Sequence, residues 1–209
     1  MGRTLSRPVT GGGTLNDPAM DEPTVEREVK LAVPDLGPVA ARLQALEADD
    51  TSFLQTVHEH NSILDTPQGD LKARDERLRM RRIIGRPGAI VTWKGPAQVR
   101  HGVRRRPERE VLAADAGACA AIFAALGFHP VRSYEKVRSS WQLGDLIVCL
   151  DQLPFGDFVE IEFTDAVSVD DEQEVLQRTI DLLGLANAPR VQASYARLQQ
   201  EWDGRKKRR

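Results

Sequence analysis

The stretch Val25-Glu26-Arg27-Glu28-Val29-Lys30-Leu31 carries the pattern on which the fold turns. In an extended strand, successive side chains point to opposite faces. Glu26, Glu28 and Lys30 therefore share one face, and Val25, Val29 and Leu31 share the other. The same charge-x-charge spacing returns along the chain. Leu78-Arg79-Met80-Arg81 sets two arginines opposite Leu and Met, and Val91-Thr92-Trp93-Lys94 sets Thr and Lys opposite Val and Trp. Arg106-Pro107-Glu108-Arg109-Glu110-Val111 aligns Arg106, Glu108 and Glu110, while Glu135-Lys136-Val137-Arg138 aligns Lys136 and Arg138. Phe158-Val159-Glu160-Ile161-Glu162-Phe163 aligns Glu160 and Glu162 opposite Val, Ile and Phe.

An antiparallel sheet with one wet face produces such alternation routinely. A wet face, however, mixes Ser, Thr, Gln and single charges. Here six strands carry charges in pairs, sorted by sign within most pairs. Helical periodicity marks Asp35–Ala48, Ala116–Leu126, Asp170–Leu183 and about Val191–Trp202, with glycines placed to end the second and third. Turn signals stand at Thr66-Pro67-Gln68-Gly69, Gly85-Arg86-Pro87-Gly88 and Gly144-Asp145. The helices need an apolar sheet face to cover, and the uncharged face of the strands supplies one. A sheet that closes with its charged face inward encloses a polar lumen. The expected fold is α+β, a closed antiparallel β-barrel with helices packed outside.

Such a lumen is electrostatically balanced only when loaded. Lys30, Arg79, Arg81, Lys94, Lys136 and Arg138 offer donors with no acceptor capacity. Arginine forks match phosphate oxygens in pairs, and lysines act as compact point charges. Glu26, Glu28, Glu108, Glu110, Glu160 and Glu162 repel one another unless a cation bridges them. Hard divalent ions such as Mg²⁺ or Mn²⁺ take carboxylate oxygens together with phosphate oxygens and water. The ligand that suits both halves is a polyphosphate carrying a divalent metal.

Bulk properties frame this reading. The chain has 209 residues, 41% apolar and 29% charged, which suits one domain with tails. Lys+Arg 29 against Asp+Glu 31 gives a formal charge of −2, so net charge offers no general affinity for nucleic acid or membranes. Residues 1–22 are expected to be a disordered lead, 23–203 the folded domain and 204–209 a basic solvated tail. Neither a signal peptide nor a membrane span is expected, and a cytoplasmic setting is expected accordingly. Cys119 and Cys149 lie in no metal spacing and are expected as buried small hydrophobes. His58-x-His60 supplies only two ligands from one strand and is set aside as a metal site. Arg100–Arg109 is expected as a mobile loop at the mouth of the lumen. Trp141 and Phe163 fall on the outer face, where helices or a second copy in a homodimer would cover them.

Glu26-x-Glu28-x-Lys30 resembles the ExExK signature of the CYTH superfamily, the triphosphate tunnel metalloenzymes. The resemblance continues in order through Leu64-Asp65-Thr66, Leu78-Arg79-Met80-Arg81, Thr92-Trp93-Lys94-Gly95-Pro96, Glu108-x-Glu110, Lys136-x-Arg138, Leu150-Asp151 and Phe158-Val159-Glu160-Ile161-Glu162. It implies an eight-stranded tunnel. It implies a catalytic grip on a triphosphate by Lys30, Arg79, Arg81, Lys94, Lys136 and Arg138, with Arg106 as a further substrate contact, and a metal set drawn from Glu26, Glu28, Glu108, Glu110, Asp151, Glu160 and Glu162. Trp93-Lys94-Gly95-Pro96 and Leu126-Gly127-Phe128-His129-Pro130-Val131 are most similar to the class IV adenylyl cyclase branch. That branch implies conversion of ATP to cyclic AMP and pyrophosphate. An inorganic tripolyphosphatase, a nucleoside or thiamine triphosphatase, and a sensor without turnover are the alternatives. One departure is plain: Asn61-Ser62-Ile63-Leu64-Asp65 stands where relatives often carry Asp-x-Tyr-Phe-Asp, so an aromatic ring and a carboxylate are absent.

Overall fold

The computed structural model describes residues 22–46 and 51–206. The expected lead, apart from Glu22, and the last three residues of the expected tail lie outside them. Nine strands run in the order β1 (Thr24–Val33), β2 (Thr51–Asp65), β3 (Arg77–Ile83), β4 (Ala89–Lys94), β5 (Gln98–Arg100), β6 (Val103–Ala113), β7 (His129–Leu143), β8 (Leu146–Leu153) and β9 (Gly156–Phe163). Eight of them form one antiparallel sheet, β1-β9-β8-β7-β2-β3-β4-β6, and pairing of β6 with β1 closes it into a barrel. The short β5 hangs on β6 alone.

Five helices complete the fold: α1 (Gly37–Ala45), α2 (Asp70–Ala73), α3 (Ala116–Ala125), α4 (Glu172–Leu182) and α5 (Tyr195–Lys206). The apolar side chains of the strands pack outward against them, as alternation requires once the charges turn in. Val29, Leu31, Val148, Leu150, Val159 and Ile161 meet Val39 and Leu43 of α1 and Leu176 and Ile180 of α4. Trp141 and Phe163 are buried in this same layer. Under α3, Leu64, Leu78, Met80 and Val91 form a second layer with Cys119 and Phe123. Asp115 caps α3 by accepting from the Ala118 amide at 2.9 Å, and Gly127 ends it at φ +88°.

α5 does something different. Its residues Tyr195, Ala196 and Leu198 pack on Ile63, Tyr134, Leu153 and Phe158, side chains at one end of the barrel. The segment before it is bound to β1 through Val191 N–H to Lys30 O at 2.8 Å and Ala32 N–H to Pro189 O at 3.0 Å. α5 thus lies across that end of the tunnel. It also runs through Gly204 to Lys206, so the helix takes in the first half of the expected tail.

The stretch read as a mobile mouth loop is instead mostly strand. Arg105 faces outward, and with Arg27 it clasps Glu172 at the start of α4; Arg27 Nη1 donates to Glu172 Oε1 at 2.8 Å. Glu172 is only 2% exposed. Removing one partner of a buried charge pair leaves the others unmatched at a cost of about 3–5 kcal/mol. Glu172→Ala is accordingly expected to lower the unfolding free energy read from urea denaturation by that amount; an unchanged midpoint would show that the clasp carries no stability.

Candidate functional site: a charged tunnel

The inward face of the strands brings most of the expected residues into one cavity of about 540 Å³. Lys30, Arg79, Arg81, Lys94, Lys136 and Arg138 line it, interleaved with Glu26, Glu28, Glu108, Glu110, Glu160 and Glu162. Register explains the interleaving. β1 pairs with β9 so that Lys30 lies opposite Glu160 and Glu28 opposite Glu162, while β4 pairs with β6 so that Lys94 lies opposite Glu108.

Most of the cations rest on acids. Lys94 Nζ lies 2.5 Å from Glu26 Oε1 and 2.9 Å from Glu108 Oε2, and Lys30 Nζ lies 3.1 Å from Glu160 Oε1. Arg81 donates to Glu110 Oε2 at 3.1 Å and to Glu59 Oε1 at 3.3 Å. Arg79 donates to Thr92 Oγ1 at 3.1 Å, and that hydroxyl donates to Glu110 at 3.0 Å. The Nε of Arg79 and the Nε of Arg81 are buried with no acceptor among the described residues. Buried donors of this kind call for acceptor oxygens that the protein itself does not supply.

Two expected site residues stand outside the cavity wall. Asp151 is fully buried behind it; it accepts from Lys136 Nζ at 3.0 Å, Arg138 Nε at 2.7 Å and Tyr195 Oη at 2.7 Å. Its oxygens are spent on holding the two cations. Arg106 turns to the backbone, donating from Nε to Gly95 O at 2.6 Å and from Nη2 to Asp75 O. The two histidines lie on the other face of β2 from Glu59, and His58 is exposed beside Glu135 at 3.1 Å. Cys149 is buried, but it faces the lumen beside Ser140 at 3.7 Å rather than packing in the apolar layer. Cys119 is half-buried.

A CYTH domain family model matches residues 24–195. The chain belongs to the CYTH family. A curated relative from Methanocaldococcus jannaschii, named provisionally as an adenylate cyclase, is 26% identical over 178 residues, covering 83% of this chain and 98% of its own length. Among solved structures, a Pyrococcus horikoshii protein superposes with a TM-score of 0.69 at 20% identity, covering 83% of this chain and 98% of its own. A Hippeastrum protein superposes with a TM-score of 0.67 at 21% identity, covering 85% and 96%; it is described as an adenylyl cyclase candidate with a dominant triphosphatase activity. Both structural likenesses show the shared barrel.

Within this CYTH tunnel the acids divide into two kinds. Glu160 is buried, which opposes ionisation, yet Lys30 and Arg138 hold its carboxyl well below the usual range. Glu59 behaves likewise: against burial, Lys136, Arg138 and Arg81 bring it down to about 2. Glu162 goes the other way, pushed up to about 7 by burial and then by Glu160, Glu26 and Glu28, with Arg138 opposing. Glu28 is raised for the same reason, burial first and then Glu160 and Glu26. Glu26, Glu28 and Glu162 also each place a carboxylate oxygen within 4.8 Å of the others. Three crowded carboxylates, two of them raised by burial and mutual repulsion, fit a hard divalent cation. Asp151 and Glu160 are better matched to orienting cations.

Glu162 titrates near 7 in the folded chain against an ordinary 4.5. The folded state therefore binds more protons between those values, and the metal-free protein loses stability as pH rises from the lower to the higher. A divalent cation must displace that proton below the upper value. Metal affinity is expected to fall as pH drops below about 7, with proton release on binding. Calorimetry at pH 6.5 in two buffers of different ionisation enthalpy checks this; identical heats would contradict it.

Sequence alternation missed four contributors. Arg77 and Arg104 line the cavity, and each continues a charge-x-charge series by one more step. Glu59 is the only charge on the inward face of β2 near Asn61, so no paired pattern announces it; Asn61 Nδ2 donates to it at 3.2 Å. Tyr195 comes from a helix, and nothing in its periodicity marks it. Its ring lies beneath Lys30 Nζ at 4.0 Å and Lys136 Nζ at 5.1 Å from the centroid, within reach of cation–π attraction. Asp65, part of the family-like Leu-Asp-Thr, serves the fold: it accepts from the amides of Thr66, Leu71 and Lys72 and fixes the turn into α2.

Proposed function

We propose that the chain binds a linear triphosphate with divalent metal in this tunnel and cleaves it, hydrolysis at a phosphorus–oxygen bond being the favoured reaction. The observation that carries the reading is the pairing of orphan arginine donors with a crowded glutamate triad in one cavity. Arg79 and Arg81 line the cavity with unspent donor capacity, and a turn of either guanidinium presents it to phosphate oxygens in the forked geometry that arginine provides. Lys30, Lys136 and Arg138 are held in place by Glu160 and Asp151 and supply fixed positive charge from β1 and β7. Fixed charges of this kind stabilise the negative charge that moves to the leaving oxygen, without reorganising as it develops. Lys94, held by Glu26 and Glu108, stands on β4 beside the arginines of β3 and helps hold the chain of phosphates in line.

Glu26, Glu28 and Glu162 would hold Mg²⁺ or Mn²⁺, which when bound neutralises phosphate charge and lowers the pKa of a coordinated water. Hydrolysis is preferred over cyclisation because charged side chains make up most of the cavity wall and α5 lies across one end. Cyclisation of ATP, with release of pyrophosphate, is the second reading; the provisional name of the curated relative favours it.

Product analysis separates them. Purified protein is incubated with ATP or with inorganic tripolyphosphate, in Mg²⁺ or Mn²⁺ and in chelator. Metal-dependent orthophosphate from tripolyphosphate is the expected result. Cyclic AMP and pyrophosphate from ATP would establish the cyclase instead, and metal-dependent binding with no product would leave a sensor.

A further inference from the structure

β3 carries not two but three inward guanidinium groups, Arg77, Arg79 and Arg81, at alternate positions. Such rungs stand ~7 Å apart along a strand. Arg79 and Arg81 are spoken for by Thr92, Glu110 and Glu59. Arg77 is not. Among the described residues it makes no ion pair, although every other Lys or Arg of the cavity wall has one. Burial, then the charges of Arg106 and Arg104, push it down to about 10, so it stays cationic at neutral pH with like charges around it.

Arg104 is its companion at the α5 end of the tunnel. It reaches Gln192 O, in the segment leading into α5, at 3.4 Å, and its one carboxylate is Glu28 at 4.0 Å. Glu28 belongs to the triad fitted for a cation. When that cation takes up the charge of Glu28, Arg104 joins Arg77 in lacking a counter-ion. Nearby, Arg106 is 2% exposed and its Nη1 has no acceptor among the described residues. A part-buried guanidinium without a partner costs stability. A tunnel built for three phosphates alone gains nothing from two of them.

We propose that Arg77 and Arg104 form a further anion subsite at the α5 end, which takes a fourth phosphate in line with the other three. The preferred ligand class is then a linear tetraphosphate rather than a triphosphate. This inference rests on the triphosphate reading above.

The test compares inorganic tripolyphosphate and tetrapolyphosphate by calorimetric titration of the wild-type chain, Arg77→Gln and Arg104→Gln, all in Mg²⁺. The wild type is expected to bind tetrapolyphosphate about tenfold more tightly, the worth of one set of charge-assisted hydrogen bonds. In Arg77→Gln the ratio of the two affinities is expected to fall to about one, and in Arg104→Gln to fall part-way. The ratio is read within each variant, so a general loss of stability does not imitate it. A wild-type ratio near one overturns the subsite even if no variant folds, and so does a preference that survives Arg77→Gln. Failure of the wild type to bind either chain overturns the triphosphate reading itself, and the subsite with it.

Discussion

Glu28→Gln is expected to raise the Mg²⁺ or Mn²⁺ concentration needed for half-maximal turnover by about tenfold to a hundredfold, the range seen when groups supporting a metal site are removed. The reason lies in the triad. Glu26, Glu28 and Glu162 crowd their oxygens within 4.8 Å, and Glu28 is raised above the ordinary carboxylate range by burial and by Glu160 and Glu26. Glutamine keeps the shape and one carbonyl oxygen but removes the charge that draws a hard cation. The same change relieves repulsion in the metal-free tunnel. In chelator the variant is therefore expected to melt higher than the wild type, at ~2–4 °C per kcal/mol for a chain of this size. A ligand to the metal trades stability for binding in this way. A structural carboxylate would show the opposite pair of effects: an unchanged metal titration and a lower melting temperature.

Arg79→Ala is expected to weaken tripolyphosphate binding by about a hundredfold, the loss of two charge-assisted hydrogen bonds to phosphate. It is the cleanest of the basic positions to test. Arg79 leans on the Thr92 hydroxyl and stands 4.0 Å from Glu110, a carboxylate that also has Arg81 and is 42% exposed. Its removal therefore strands no buried charge. Lys136 and Arg138 are different. They are the counter-ions of Asp151, which has no exposure at all. Truncating either one mixes lost binding with a destabilised barrel, so the Arg79 variant carries the comparison. Circular dichroism and melting like those of the wild type, with binding lost, is the expected combination. Unaltered tripolyphosphate binding would mean that the orphan Nε groups face no phosphate.

The barrel was legible because its charges lie inside. Apart from Arg27, Val25 to Leu31 and Phe158 to Phe163 alternate so that the sheet has one charged and one apolar face, and the helices between them require the apolar face to be outside. What alternation could not supply was the state of each charge once enclosed. Asp151 and Glu160 look the same as Glu28 and Glu162 in sequence. They differ because register sets Lys30 opposite Glu160 but sets Glu28 opposite Glu162, like facing like. That pairing, a long-range property, separates orienting carboxylates from those suited to metal. Arg106 shares a face with Glu108 and Glu110, yet the carbonyls of Gly95 and Asp75 take it out of the cavity. Tyr195 was beyond reach for another reason. It arrives from α5, and one aromatic residue on a helix carries no sign that it will be laid against Lys30 and Lys136 at the tunnel's end.

The measurement that bears most directly on the tunnel as a metal-dependent triphosphate site is a calorimetric titration of the wild-type chain with inorganic tripolyphosphate, with Mg²⁺ and again with chelator. Saturable binding that requires the metal and is lost in Arg79→Ala is the predicted result. Binding that is absent in Mg²⁺, or that persists unchanged in chelator and in Arg79→Ala, would contradict it.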